Sequence, residues 1–265
     1  MAAFQTMNHT MKTCQKLFAL GILFFALPAL GQGMPPVVQA AKDADWAKLS
    51  SLLSNQGNVQ DVYGDGTSAL HWASYHDNVQ VAVELIDLGG DVNSVTDLGV
   101  TPLWLAADNG SAAMVDALLE SGASPNLNLL SGETLVMTAA HSGNAALVRS
   151  LLAAGASPHS EVTRNQTALM WAAGQGHGDV VEALLDYDAD VDARTLVRSQ
   201  YVKSEKEQDS HPLNKVWVEQ GGNTALIFAA RAGSLESARL LVAAGSDVNG
   251  LSAFGTSPAI MAVHG

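Results

Sequence analysis

Cysteine is nearly absent: 265 residues carry one thiol, Cys14. Basic residues are scarce as well, 13 Lys and Arg against 26 Asp and Glu, for a net charge of −13. A surface built to grip duplex nucleic acid needs clustered cations to neutralise phosphates, so this balance argues against nucleic acid as a partner. It argues equally against adsorption to an anionic bilayer. Long hydrophobic runs are missing too, apart from one near the N-terminus.

That run, "LFALGILFFALPAL" (Leu17 to Leu30), follows Lys12 and Lys16 and precedes the small residues of "ALG". The arrangement reads as a secretory signal over residues 1–31, cleaved after Gly31. A membrane anchor is the competing reading, but about 20 apolar residues are needed to span, and this run is shorter and holds Pro28. Cys14 precedes the apolar run and would leave with the signal, so the mature chain has no thiol for a disulfide or a thiolate metal site. It would keep 11 basic and 26 acidic residues, a net of −15, and an exported location is expected.

What the chain has in abundance is repetition. Aligned on Thr101 of "GVTPLWLAADNG", the same register recurs at Ser68, Thr134, Thr167, Thr224 and Ser257, in steps of 33, 33, 33, 57 and 33 residues. The odd step is one period plus 24 residues. Gly110, Gly143, Gly176 and Gly233 stand nine residues after the slot, with Asp77 in the first copy. Leucine pairs follow, as in Leu118-Leu119 and Leu151-Leu152, and then "GGDVN", "GASPN" and "GSDVN". The Thr/Ser slot starts a helix, because its hydroxyl can satisfy an orphan amide and proline is tolerated just inside. Alanine pairs permit close helix approach, and the glycine suits a left-handed cap. Val115-Leu118-Leu119 spacing makes one buried stripe on the next helix. One such unit cannot bury that stripe alone; stacked copies can.

The segments "GVTPLWLAADNGSAAMVDALLESGASPN" and "NQTALMWAAGQGHGDVVEALLDYDADVD" resemble the ankyrin repeat, over essentially the whole of residues 35–265. The resemblance implies an all-α solenoid of stacked helix-turn-helix units with projecting β-turn fingers: about six units and a last one truncated at Gly265. The first unit, Pro35 to about Tyr63, is degenerate and reads as an N-terminal cap. The family's framework histidine appears once, as His71; Trp104, Met137, Met170, Ile227 and Ile260 fill its slot elsewhere, which predicts apolar packing in place of the tie. The unfinished last unit suggests either a truncated reading of the gene or a further domain.

Chemistry is hard to place. No H-E-x-x-H, Cys/His cluster or G-x-S-x-G is present. His177 follows Gly176 as a structural residue, whereas His76, His141 and His264 are expected to face the groove. "DYDADVD", Asp186 to Asp192, lacks the glycine and distal Glu of a calcium loop and coincides with a repeat turn. No catalytic residue, cofactor or metal is therefore expected. Trp72, Trp171 and Phe228 share one slot, either as packing between first helices or as an exposed aromatic ladder.

The 24 added residues fall within "RTLVRSQYVKSEKEQDSHPLNKVWVEQ", Arg194 to Gln220, with the inserted loop at about 196–219. Alternation at both ends predicts a two-stranded finger with a mobile tip, and Arg198, Tyr201, Lys203, Lys206 and Trp217 are candidate contacts. A neutral loop expansion is the alternative, since closure entropy grows slowly with length. The resemblance implies further contact positions along the groove and fingers. They are Asp65, Thr67, Tyr75 and His76; Asp97, Leu98, Val100, Asp108 and Asn109; Leu130, Glu133 and His141; and Arg164, Gln166, Gln175, Asn223 and Arg231. The expectation is a monomeric, non-catalytic module that binds a protein partner outside the cytoplasm. The alternative is the targeting half of a longer exported enzyme whose catalytic domain lies beyond Gly265.

Overall fold

A computed structural model describes residues 33–159, 161–162, 165–203 and 215–264. Residues 1–31, the expected signal, lie outside it. Each unit is two short antiparallel helices. The first helices are Pro36–Lys42, Ala69–Tyr75, Pro102–Asp108, Leu135–Ser142, Ala168–Gln175, Ala225–Ala232 and Pro258–His264. The second helices are Trp46–Ser54, Val79–Asp87, Ala112–Glu120, Ala145–Ala153, Gly178–Leu185 and Leu235–Ala243. Like elements stack on like, first helix on first helix and second on second.

Local chemistry sets each boundary. The side chains of Ser68, Thr101, Thr134 and Thr167 accept from the backbone N–H three residues on, closing one orphan donor each. Thr224 keeps the same extended backbone but makes no such bond. Second helices are capped by Asn78, Ser111, Asn144 and Ser234. His177 occupies that place in the remaining full unit and makes no side-chain cap. Its ring instead lies over Gly143, where a Cβ would stand 2.8 Å from it. Gly143→Ala is therefore expected to cost about 1–3 kcal/mol, from its φ of +78° together with the ring clash. Gly233→Ala, with φ +67° and open space around it, should pay only the backbone share of about 1–2 kcal/mol. Chemical denaturation of both variants checks the contrast, and equal losses would remove the ring from the account.

The core is one continuous cluster running through the stack. Ala106, Ala139, Ala172 and Ala229 are fully buried where first helices meet. Val115, Leu118, Val148, Leu151, Val181 and Leu184 are fully buried along the second helices. Each such leucine contributes about 1.5–3 kcal/mol of burial, but only because a neighbouring unit covers it. In most of the pairs the first member carries the core: Leu119 and Leu185 are half-buried and Val242 is exposed, whereas Leu152 is buried beside Leu151. Where the framework histidine is replaced, Met137, Met170 and Ile227 are buried, so apolar packing does stand in for the tie, whereas Ile260 is exposed.

Asparagines lace the outward turns together. Asn93 donates to the Gly122 carbonyl and accepts from the Ser124 N–H. Asn126 does the same with Gly155 and Ser157 one unit later. The fingers are joined by backbone bonds from Asp97 N–H to the Asp65 carbonyl and from Leu130 N–H to the Leu98 carbonyl.

Two small hairpins interrupt the helical plan. Strand β1 (Glu161–Val162) pairs with β2 (Gln166–Thr167). In the insertion, β3 (Arg198–Lys203) pairs antiparallel with β4 (Lys215–Gln220), with Tyr201 opposite Trp217 in register. The two-stranded finger is thus present; residues 204–214, its tip, lie outside the described residues. Its base is clamped by Thr195, whose N–H donates to the Asn223 carbonyl and whose Oγ1 accepts from the Asn223 N–H, and by Arg194, which donates to the carbonyls of Gly222 and Leu251. Among the described residues no helix is long and apolar enough to cross a membrane.

Candidate functional site

The candidate contact positions do not form one continuous face. The structure gathers several of them around a pocket between the first helices of the second and third units. Its empty volume is about 540 Å³, counted out to the open mouth. Trp72 and Tyr75 come from one helix, and Trp104, Leu105 and Asp108 from the next. Thr67, Thr96 and Val100 close the finger side, with His71 beneath.

The pocket's walls are apolar and its rim is acidic. Asp108 ends its helix, where the carbonyl end of the dipole disfavours a negative charge by a few tenths of a kcal/mol. Surrounding protein pushes its carboxyl above the usual range by desolvation. Half-buried Glu133 is raised by desolvation too. A 3.2 Å bond donated by Thr138 Oγ1 pulls it back, and the Asp108 charge raises it further. The indole nitrogens of Trp72 and Trp104 are buried with no partner.

Other candidate positions spend their polar groups inside the array. His76 Nε2 bonds the Lys42 carbonyl, and its ring stacks on Trp72 and meets Trp46 and Tyr75 edge-on. Asn109 donates to the carbonyls of Ser74 and Tyr75. Both side chains thereby cap the C-terminal end of the preceding unit's first helix. Val100 needs a larger correction. Its side chain is 2% exposed and its carbonyl is engaged by His71, so it lies in the pocket's floor and is not part of an open surface. The reason is local: Val100 directly precedes the helix cap, where the finger folds back onto the core.

The rest are spread along the stack. Asp65 accepts from the Thr67 N–H, and Asp97, Leu98 and Leu130 are exposed on the finger tips. His141 meets Trp171 edge-on at 5.5 Å. Gln166 belongs to β2, and Gln175 ends its helix. Arg231 lies over the Phe228 ring at 5.0 Å, and desolvation lowers its pKa. Arg198 and Trp217 are exposed on the hairpin, to which Tyr201 and Lys203 contribute backbone. Arg164 and Lys206 fall outside the described residues, as does Gly265; His264 is described only as the end of the last helix. Trp72 and Phe228 are buried, so the shared aromatic slot is mainly packing; Trp171 is half-buried.

Trp104 and Leu105 belong to the site although neither figured among the expected contacts. The available signal was a tryptophan standing in the framework histidine's slot, 33 residues after His71. No three His, Cys, Asp or Glu side chains converge as a metal site among the described residues.

Known proteins place this architecture. No curated protein matches the chain. A solved structure, the ankyrin repeat domain of human ASB11, is similar at 29% identity over 86% of this chain and 91% of that one, with a TM-score of 0.66. The family description "Ankyrin repeats (3 copies)" matches residues 37–129 and 124–195, and "Ankyrin repeat" matches 221–252. The stretch between them is the inserted hairpin. On this coverage and on the stacked helical pairs, the chain belongs to the ankyrin repeat family, whose arrays are protein–protein interaction modules.

Proposed function

We propose that this chain is a non-catalytic binding module that engages a partner protein outside the cytoplasm through its fingers, its groove and the inserted hairpin. The observation that carries the reading is a series of exposed apolar side chains on the projecting turns. Leu98, Leu130, Trp217 and Phe254 are 41, 77, 67 and 68% exposed. Backbone bonds between neighbouring fingers hold the first two in fixed register, so they form an ordered ridge. Ordered apolar surface of this kind is what an interface core covers, while the carboxylates around it supply a polar rim. Export rests on the basic, apolar and small-residue sequence of residues 1–31.

Deleting Ser199 to Lys215 is expected to leave the helical circular dichroism unchanged, because the hairpin emerges from an outward loop clamped at its base. The same deletion should weaken capture of a partner from the exported proteome by about tenfold or more, as removal of an aromatic anchor does. Undiminished capture would remove the hairpin from the interface. A reporter fused behind residues 1–34 that stays in the cytoplasm would overturn export.

A further inference from the structure

We propose that the pocket between Trp72 and Trp104 receives an arginine side chain of the partner protein. This rests on the array being a protein-binding module and names what one of its pockets recognises. Three observations lead to the guanidinium. The walls are two indole rings, Trp72 and Trp104, whose remaining exposed surface lines the pocket and offers π faces to a planar cation. The rim carries Asp108, held at the negative end of its own helix and within range of the Glu133 charge. Among the described residues the side-chain ion pairs are those of Arg149 with Glu182 and Asp186, and neither involves Asp108 or Glu133.

The third observation is internal to the repeat. Seven residues after the helix-starting slot, the unit beginning at Thr224 carries Arg231, whose guanidinium lies 5.0 Å over the Phe228 ring. The equivalent position in the unit beginning at Thr101 is Asp108. The array thus supplies its own arginine on a first-helix aromatic in one unit. In the other it offers aromatic walls and a carboxylate where that arginine would be. Lys42 Nζ stands 5.8 Å from the Trp72 ring, so this indole has a cation beside it already. A planar guanidinium fits better than an ammonium here, because it can stack on an indole while its N–H fork meets a carboxylate.

The test is a displayed random-peptide library panned against the full chain, with each enriched peptide resynthesised with citrulline, the neutral isostere, in place of arginine. Enriched peptides should contain arginine and bind at least about tenfold more weakly as the citrulline form or to Asp108→Asn. They should also shift the indole N–H resonances of Trp72 and Trp104. Circular dichroism verifies that Asp108→Asn is folded. Enrichment of peptides without arginine, or binding indifferent to both changes, overturns the arginine pocket and leaves the interaction module standing. A chain that enriches no peptide overturns both.

Discussion

Leu151→Ala should lower the free energy of unfolding by about 2–5 kcal/mol, the range for a fully buried leucine. Leu151 is completely buried on the Ala145–Ala153 helix, which packs against the second helices on either side. The consequence differs from that in a single-core protein. Each unit is stabilised by its neighbours, so a cavity in the middle unit weakens two interfaces at once. Calorimetry should therefore show a lower first transition and a second one from the units farther away. A single sharp transition displaced by less than about 2 °C would contradict this coupling.

His71→Ala is expected to cost about 2–4 kcal/mol, because it strands buried backbone groups in two units. His71 is 1% exposed. Its Nδ1 accepts from the Ser68 N–H at 3.1 Å and contacts Ser68 Oγ at 2.8 Å, while Nε2 donates to the Val100 carbonyl at 3.0 Å. That pattern requires the neutral ring with its proton on Nε2. Burial lowers its pKa below 6.5, against the opposing pull of the Val100 carbonyl, Asp65 and Asp91. In the window between the lowered value and 6.5 the unfolded chain binds the proton and the folded chain does not. Stability from His71 is therefore complete above the unfolded value and is lost as the pH falls below it. Asp108 and Glu133 act in the opposite sense: with raised pKa values they favour the folded state as the pH falls. The measurement is thus a difference. Wild type minus His71→Ala, followed by denaturation from pH 7.5 to 5, should shrink on acidification. A pH-independent difference would remove the histidine from the acid response.

Most of the fold was legible because its determinants are local. Thr101, Thr134 and Thr167 cap the helix they begin, and Gly143, Gly176 and Gly233 end it in the left-handed conformation. Both depend on a few neighbouring residues, which a 33-residue register displays directly. Alternation at the two ends of the insertion likewise revealed its strands. The site was less legible, because it is made across units. Asn109 and His76 look like free groove residues until the structure sets the carbonyls of Tyr75 and Lys42, each 34 positions earlier, beside them. Val100 reads as a finger residue, yet the turn carries it inward. The influence of the Asp108 charge on Glu133 depends on how the turn before one first helix sits against the helix of the preceding unit, which periodicity alone does not state.

The asparagine lacing has a mechanical consequence. Asn93 and Asn126 each hold the following turn by two bonds, but the same register then passes to His159 and Asp192. Among the described residues His159 contributes only a backbone bond to Ser157, within its own turn, and Asp192 reaches across the hairpin to the Asp247 N–H at 3.5 Å. The turns are thus stitched by asparagine in the N-terminal half and, beyond the His159 turn, by the longer Asp192 contact and the Arg194 clamp. A partner that strains the array against itself will meet stiff joints before the His159 turn and a compliant one after it, and the inserted hairpin rises one unit further on.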